Sequence, residues 1–271
     1  MPELPEVETT RCGIAPHLVN AVITGVTIRN PHLRWPVPGD LANRLAERTI
    51  LSVERRGKYL LIGMQHCTLL VHLGMSGSLR ILDKPSPYLK HDHIDLALSN
   101  GKHLRYCDPR RFGSWLLADT NPHQHPLLAS LGPEPLGKEF TARYLFQLSR
   151  KRTQAIKCFV MDSHVVVGVG NIYANEALFI SGILPERAAN TLTSGEARRL
   201  VNAIRHILSR AIKRGGTTLR DFVGGDGKPG YFAQELLVYG RGNQPCRQCG
   251  ASLHESRLGQ RSTVWCASCQ S

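Results

Sequence analysis

Apolar Leu4, Val7, Ile14 and Leu18 fall near one face at helical spacing and predict an opening helix. Pro2 suits its first turn, while Gly13 and Pro16 shorten or bend it. From about Ala21 to Leu117 the pattern changes to short runs of Val, Ile and Leu: Val22 to Ile28, Ile50 to Ile62, Thr68 to Leu73, Leu79 to Leu82, Ile94 to Leu98 and Phe112 to Leu117. Breaks at Gly, Pro and Asn-Gly predict an antiparallel sandwich or barrel.

Beyond the polar stretch from Asp119 to Pro126 the period becomes helical, with helices expected near 139–151, 153–161, 171–181 and 195–213. The last is the clearest. Thr193 and Glu196 form a capping-box pair, Leu200, Val201, Ile204, Ile207, Leu208, Ala211 and Ile212 form the apolar stripe, and Gly215 stops it. A glycine-rich segment from Gly215 to Gly230 then suits either a plain connection or a lid. The expected fold class is therefore α+β and multidomain.

The chain's 271 residues, 42% of them hydrophobic, suffice for a buried core and exclude a disordered or fibrous polypeptide. Lys and Arg number 34 against 21 Asp and Glu, a formal charge of +13, so a polyanion is the expected partner. No apolar run approaches a bilayer span, and the opening MPELPEVETT carries three Glu and no basic residue, so neither a membrane segment nor a secretory signal is expected.

Four of the eight cysteines are scattered (Cys12, Cys67, Cys107, Cys158), and four crowd the end. Cys246-x-x-Cys249, sixteen residues, then Cys266-x-x-Cys269 is the spacing of two knuckles presenting four thiolates to one structural zinc ion. Four thiolates leave no open position for water, which excludes a catalytic zinc. Arg257 and Arg261 lie between the knuckles in an expected hairpin, where phosphate contact is their ordinary role. Arg143, Arg150, Lys151, Arg152 and Lys157 occupy a stretch free of acidic residues and read as a nucleic-acid surface. Gly168-Val-Gly170 before Asn171 opens a helix either as a phosphate-gripping turn or as an ordinary tight turn. Phe112, between Arg110, Arg111 and Gly113, is a core residue by base rate or else a wedge for the gap left by an extruded base; Met75 carries the same ambiguity.

The N-terminus carries the distinctive chemistry. With Met1 removed, Pro2 is a secondary amine that condenses with an aldehydic sugar to a cationic iminium, an electron sink. Its reference pKa near ~8, against ~10.4 for lysine, leaves more of it nucleophilic at neutral pH. Glu3 stands beside it as a candidate acid, with Glu6 one turn on. An ordinary helix start explains the same letters.

Taken together, Pro2-Glu-Leu-Pro-Glu-Val-Glu8, Arg56-Gly-Lys-Tyr59, His72-Leu-Gly-Met-Ser-Gly77, His91-Asp-His93, Asp108-Pro-Arg-Arg-Phe-Gly113, Gly168-Val-Gly-Asn-Ile-Tyr-Ala174, Asp226-Gly-Lys-Pro-Gly230 and the four-cysteine finger resemble the bacterial formamidopyrimidine-DNA glycosylases across the whole chain. The resemblance implies an N-terminal helix and catalytic β-sandwich over 2–130, a helix-two-turn-helix domain with a lesion-capping loop over 131–238, and a zinc finger over 239–271. It implies a bifunctional glycosylase and AP lyase of base excision repair. Oxidised purines such as 8-oxoguanine would leave through a Schiff base at Pro2, followed by β- and δ-elimination. Glu3 would be the proton shuttle, Lys58 the strand lysine beside the nucleophile, and Arg261 the finger residue of the δ-step. His91, Arg110, Arg152 and Asn171 would bind DNA, Met75, Arg110 and Phe112 would fill the void, and the stretch from Thr217 to Gly230 would cover the lesion. Double-stranded DNA with oxidised purines or abasic sites would be the partner of a cytoplasmic monomer acting at the nucleoid, with one structural zinc and no nucleotide cofactor. Endonuclease VIII-like chemistry on oxidised pyrimidines and a non-catalytic zinc-finger DNA binder remain the competing readings. Leu4, where the sister family has Gly, favours the purine branch.

Overall fold

Helix α1 (Leu4–Leu18) forms on the expected stripe, and Leu4, Val7, Ile14 and Leu18 are all buried. Two local expectations are corrected. Pro2 lies ahead of the helix with Glu3 as N-cap, so Pro5 is the first-turn proline; the helix also runs through Gly13, with Pro16 in its last turn, where few backbone donors are lost. The computed structural model describes residues 2–119, 121–216 and 235–271, and the expected capping segment from Thr217 to Gly230 lies outside them. The chain divides into two compact units, one built on Met1–Ala129 and the other on Ser130–Lys213 with the C-terminal segment through Ser271.

In the first unit, strands β1 (Ile23–Ile28), β2 (Ser52–Arg56), β3 (Tyr59–Gly63), β4 (Thr68–His72), β5 (Ser78–Leu82), β6 (Asp92–Leu98), β7 (His103–Cys107) and β8 (Ser114–Ala118) build two antiparallel sheets, with the short helix α2 (Leu41–Leu45) after β1. Their orders are β1-β6-β7-β5 and β2-β3-β4-β8. Leu60, Ile62, Leu69 and Val71 from one sheet and Leu79, Ile94, Leu96, Leu104 and Tyr106 from the other share a core with α1 and α2. Alternate residues of each strand face this core, as in a sandwich, while β3, β4 and β6 are also buried at the positions between.

Three details differ from the periodicity. The run from Ile50 to Ile62 is two strands, because Gly57, with φ +59°, opens a two-residue hairpin turn completed by Lys58. Strand β7 was not expected, since Arg105 breaks its apolar pattern; Arg105 is nevertheless buried, donating from Nε to Asp95 Oδ2 at 2.7 Å directly across the ladder. Strand β8 begins at Ser114, so Phe112 stands in the preceding turn.

After α3 (Pro126–Ala129), the second unit holds α4 (Ala142–Ser149), α5 (Ile156–Met161), α6 (Asn171–Ser181) and α7 (Ser194–Lys213), followed by the hairpin of β9 (His254–Leu258) and β10 (Arg261–Trp265). The α7 capping box is present: Glu196 Oε2 accepts from Thr193 N at 2.8 Å, and Glu196 N donates to Thr193 Oγ1 at 3.2 Å. The finger does not build its core alone, because Phe179 of α6 packs with Val238, Leu253, Val264, Cys246 and Cys266. No described helix is long and apolar enough to cross a membrane.

Candidate functional site

Pro2 and Glu3 are buried at the start of α1. The Glu6 carboxylate accepts from Glu3 N at 2.9 Å, which fixes the backbone between the candidate nucleophile and the helix. The partial positive charge of a helix N-terminus disfavours an ammonium there.

Lys58 stands in the β2–β3 turn, and α1 packs on both strands. One chain of bonds braces that turn. Glu8 on α1 accepts from Arg55 Nε at 3.0 Å, and Arg55 Nη1 donates to Gly57 O at 2.9 Å, next to Lys58. Burial alone would raise the Glu8 carboxyl, but its bonds and charge pairing with Arg11 and Arg55 hold it below the ordinary value. On β4, His72 packs its ring on Tyr59 with centroids 4.8 Å apart, and its Nδ1 accepts from Gly74 N at 3.0 Å. Burial, then the charges of Lys58 and Arg34, lower its pKa to about 4 against a smaller opposing pull from Asp108. It is a neutral imidazole at physiological pH, and the motif it opens, His72-Leu-Gly-Met-Ser-Gly77, did not mark its burial.

The turns carrying Met75 and Phe112 adjoin. A Cβ on Gly74, whose φ is +67°, would lie 2.4 Å from the carbonyl carbon of Phe112, so only glycine permits this approach. Met75 is 37% exposed and Phe112 42%, which decides against the core alternative for both. The Arg110 guanidinium sits 4.9 Å from the centre of the Phe112 ring. His91 precedes β6, where a register shift between Asp92 and Ile94 lets His93 bond the Asp108 carbonyl through Nε2 at 2.8 Å. His91, Met75, Arg110 and Phe112 thus belong to one connected set of turns in the first unit.

The second unit carries the other candidates. Arg152 is exposed between α4 and α5, and Gly168, at φ +82°, turns the chain into α6 at Asn171. Asn171 Nδ2 donates to Ser262 O at 3.1 Å, while its Oδ1 is buried with no partner among the described residues. Arg261 is exposed at the tip of the β9–β10 hairpin, whose turn residues Gly259 and Gln260 both have positive φ, +54° and +62°. Arg257 is exposed on β9.

Lys157 corrects the basic-surface expectation, because it is fully buried. Its Nζ donates to Ser262 O and Thr263 Oγ1, both at 2.7 Å. It is an internal strut of the hairpin, bonded to the two residues that follow Arg261. Glu176, also fully buried, accepts from the backbone N–H groups of Leu237, Val238 and Tyr239 and so anchors the segment entering the finger. A buried charge at helical spacing reads in sequence like a surface one, so neither role was legible.

The sulfurs of Cys246, Cys249, Cys266 and Cys269 all lie within 4.8 Å of one another. A tetrahedral zinc with bonds of about 2.3 Å fits such a cluster. Gln270 fastens the second knuckle, accepting from Cys266 N at 2.9 Å and donating to Ile183 O at 2.8 Å.

Three family models match the chain: the formamidopyrimidine-DNA glycosylase N-terminal domain over residues 1–115, the formamidopyrimidine-DNA glycosylase H2TH domain over 131–223, and the zinc finger found in FPG and IleRS over 243–271. The finger model and the thiol cluster together indicate one structural zinc ion held by the four cysteines. The formamidopyrimidine-DNA glycosylase of Stutzerimonas stutzeri is 60% identical over 270 residues, with 100% of each chain covered. The crystal structure of the MutM (Fpg) protein from Thermus thermophilus is 39% identical with a TM-score of 0.89, covering 99% of this chain and 98% of that one. A Lactococcus lactis Fpg mutant in complex with a Fapy-dG containing DNA is 33% identical with a TM-score of 0.92, covering 99% of both.

Proposed function

The chain belongs to the formamidopyrimidine-DNA glycosylase family, base-excision-repair enzymes for oxidised purines with AP lyase activity, and we propose that Pro2 is the nucleophile on which both of its steps run. The observation that carries this reading is the buried Pro2-Glu3 start of α1, held by Glu6 and ending in an amine once Met1 is gone. The Pro2 nitrogen bonds the sugar C1′ of an extruded 8-oxoguanine or formamidopyrimidine nucleotide as the bond to the base breaks. Glu3, beside that nitrogen, delivers the proton that opens the sugar ring.

The resulting iminium acidifies the C2′ proton. Its removal expels the 3′ phosphate by β-elimination, and a second proton loss expels the 5′ phosphate by δ-elimination. The Pro2 amine itself takes up the electrons. Lys58, braced through Gly57, Arg55 and Glu8, supplies positive charge and proton transfer near the elimination. Arg261 neutralises the departing phosphate; a guanidinium stays protonated, so its role is electrostatic. The zinc ion organises the finger and enters no step.

His91, Arg110, Arg152 and Asn171 grip phosphates and the orphaned base, and Met75 and Phe112 fill the void. The exposure of Met75, Arg110, Phe112 and Arg152 supports this assignment, while His91 and Asn171 are half-buried at the starts of β6 and α6. The partner is duplex DNA bearing an oxidised purine or an abasic site. The chain works in the cytoplasm at the nucleoid, as a monomer, with its catalytic, helical and finger domains over 2–130, 131–238 and 239–271.

Protein that retains Met1 has an amide at Pro2 and is expected to lose excision of 8-oxoguanine from a duplex while keeping much of its DNA affinity. Full excision by a verified Met1-retaining preparation overturns the proposal. Equal excision of thymine glycol would return the pyrimidine-directed reading.

A further inference from the structure

One buried carboxylate stands behind all the DNA-facing turns of the first unit. Asp108 has no solvent exposure, and three donors from different segments converge on its two oxygens. Ser76 Oγ reaches Oδ1 at 2.7 Å, and Tyr106 Oη and Gly113 N reach Oδ2 at 2.9 Å each. Ser76 follows Met75 and also accepts from Arg110 N at 3.2 Å, while Gly113 follows Phe112. The Asp108 backbone completes the set, its N–H donating to His91 O at 3.0 Å and its carbonyl accepting from His93 Nε2 at 2.8 Å. Met75, His91 and Arg110 are therefore each one residue or one hydrogen bond away from Asp108 or its partner Ser76, and Phe112 adjoins Gly113, which bonds Asp108 directly.

The chemistry of the hub explains its residue type. Three donors need a group that only accepts, which a carboxylate supplies and an amide does not. Charge-assisted bonds in a water-free site are also strong and directional. Space around it is equally constrained, since a Cβ on Gly113 would lie 1.8 Å from Tyr106 Oη and one on Gly77 2.1 Å from Leu73 O.

We propose that Asp108 is the positioning residue that joins the Met75 turn and the Phe112 turn into one blade, with Ser76 and Tyr106 as its braces, so that both side chains enter the duplex together. The proposal rests on the reading of Met75 and Phe112 as wedges and adds what makes them act as a unit. An exposed methionine or phenylalanine on a free turn folds back on the protein surface. A pair fixed to one buried anion meets the void already ordered and loses less entropy on insertion.

The test uses the full-length protein and a duplex containing a tetrahydrofuran abasic analogue, with 2-aminopurine beside the opposite base as a fluorescent report of unstacking. Met75→Ala and Phe112→Ala are expected to lower the fluorescence rise and weaken Kd, with combined losses that depart from additivity by roughly three- to tenfold. Ser76→Ala cuts the tie from Asp108 to the Met75 turn, together with the bond from Arg110 N to Ser76 Oγ, and leaves the Gly113 N–H on Asp108; in that background the two losses become additive. Tyr106→Phe, which leaves that tie in place, lowers the fluorescence rise less than Ser76→Ala does. Ser76→Ala should also reduce excision from an 8-oxoguanine duplex by about tenfold more than it reduces borohydride trapping on a single-stranded abasic oligonucleotide, where no void exists. If neither wedge variant alters the fluorescence, the wedge reading fails and the proposal with it. If both do, yet their coupling is absent in the wild type or survives Ser76→Ala, the wedges stand and the role of Asp108 is overturned.

Discussion

Two turn systems carry the side chains proposed to meet DNA, and they are held by opposite means. In the first unit a buried anion, Asp108, gathers the turns of Met75 and Phe112 above a two-sheet core. In the second, a buried cation, Lys157, holds the strand that bears Arg261, and four thiolates with zinc complete the frame. The difference follows from the apolar surface available. A sandwich with Trp115 and Tyr106 in its core can keep a carboxylate dry and bonded. The finger's few apolar residues, even with Phe179 added, leave folding energy for the metal to supply.

Removing zinc should sharpen the contrast most. Structural zinc contributes on the order of 10 kcal/mol in small fingers. A strong chelator, or Cys249→Ser, is expected to unfold the hairpin, abolish tight duplex binding in fluorescence anisotropy and shift the emission of Trp265, while that of buried Trp115 stays as it was. Persistence of tight binding in verified zinc-free protein would mean that Lys157 and Asn171 suffice to frame the hairpin.

A smaller effect comes from the strut. Lys157→Met keeps the volume but leaves the Thr263 hydroxyl without that donor and Ser262 O with the bond from Asn171. The expected cost is about 2 kcal/mol in denaturant-measured stability, with a fall in δ- relative to β-elimination product on abasic DNA. An unchanged product ratio would separate the strut from Arg261.

The effect that is smallest at neutral pH, and appears only in acid, is a pH dependence confined to the sandwich. The His72 pKa falls from its ordinary 6.5 to about 4 in the fold, so between those values the unfolded chain binds more protons. Its contribution is complete above about pH 6.5 and lost as pH falls towards 4, on the order of 3 kcal/mol in all. His72→Gln should flatten that part of the stability curve, and an unaltered slope would show that His72 does not titrate there.

Legibility in the sequence divides along the same line. Zinc ligands announce themselves because coordination fixes their spacing, and α7 does so because its cap and stripe are local. Buried charges do not. Arg105 hid strand β7 by standing where an apolar residue was expected, its partner Asp95 being a strand away. Lys157 passed for a surface cation among four neighbours that are exposed, and nothing local in the Asp-Pro-Arg-Arg turn marks Asp108 as buried. The exposure of Met75 and Phe112 depends on the close backbone approach at Gly74, a long-range fact that no window of sequence contains.

The chemistry proposed for Pro2 is covalent, and borohydride reduction captures it. Protein beginning at Pro2, mixed with an 8-oxoguanine duplex and reduced, should yield a protein–DNA adduct that peptide mass spectrometry places on the Pro2 nitrogen. No adduct, or one carried by Lys58, would remove Pro2 as the nucleophile.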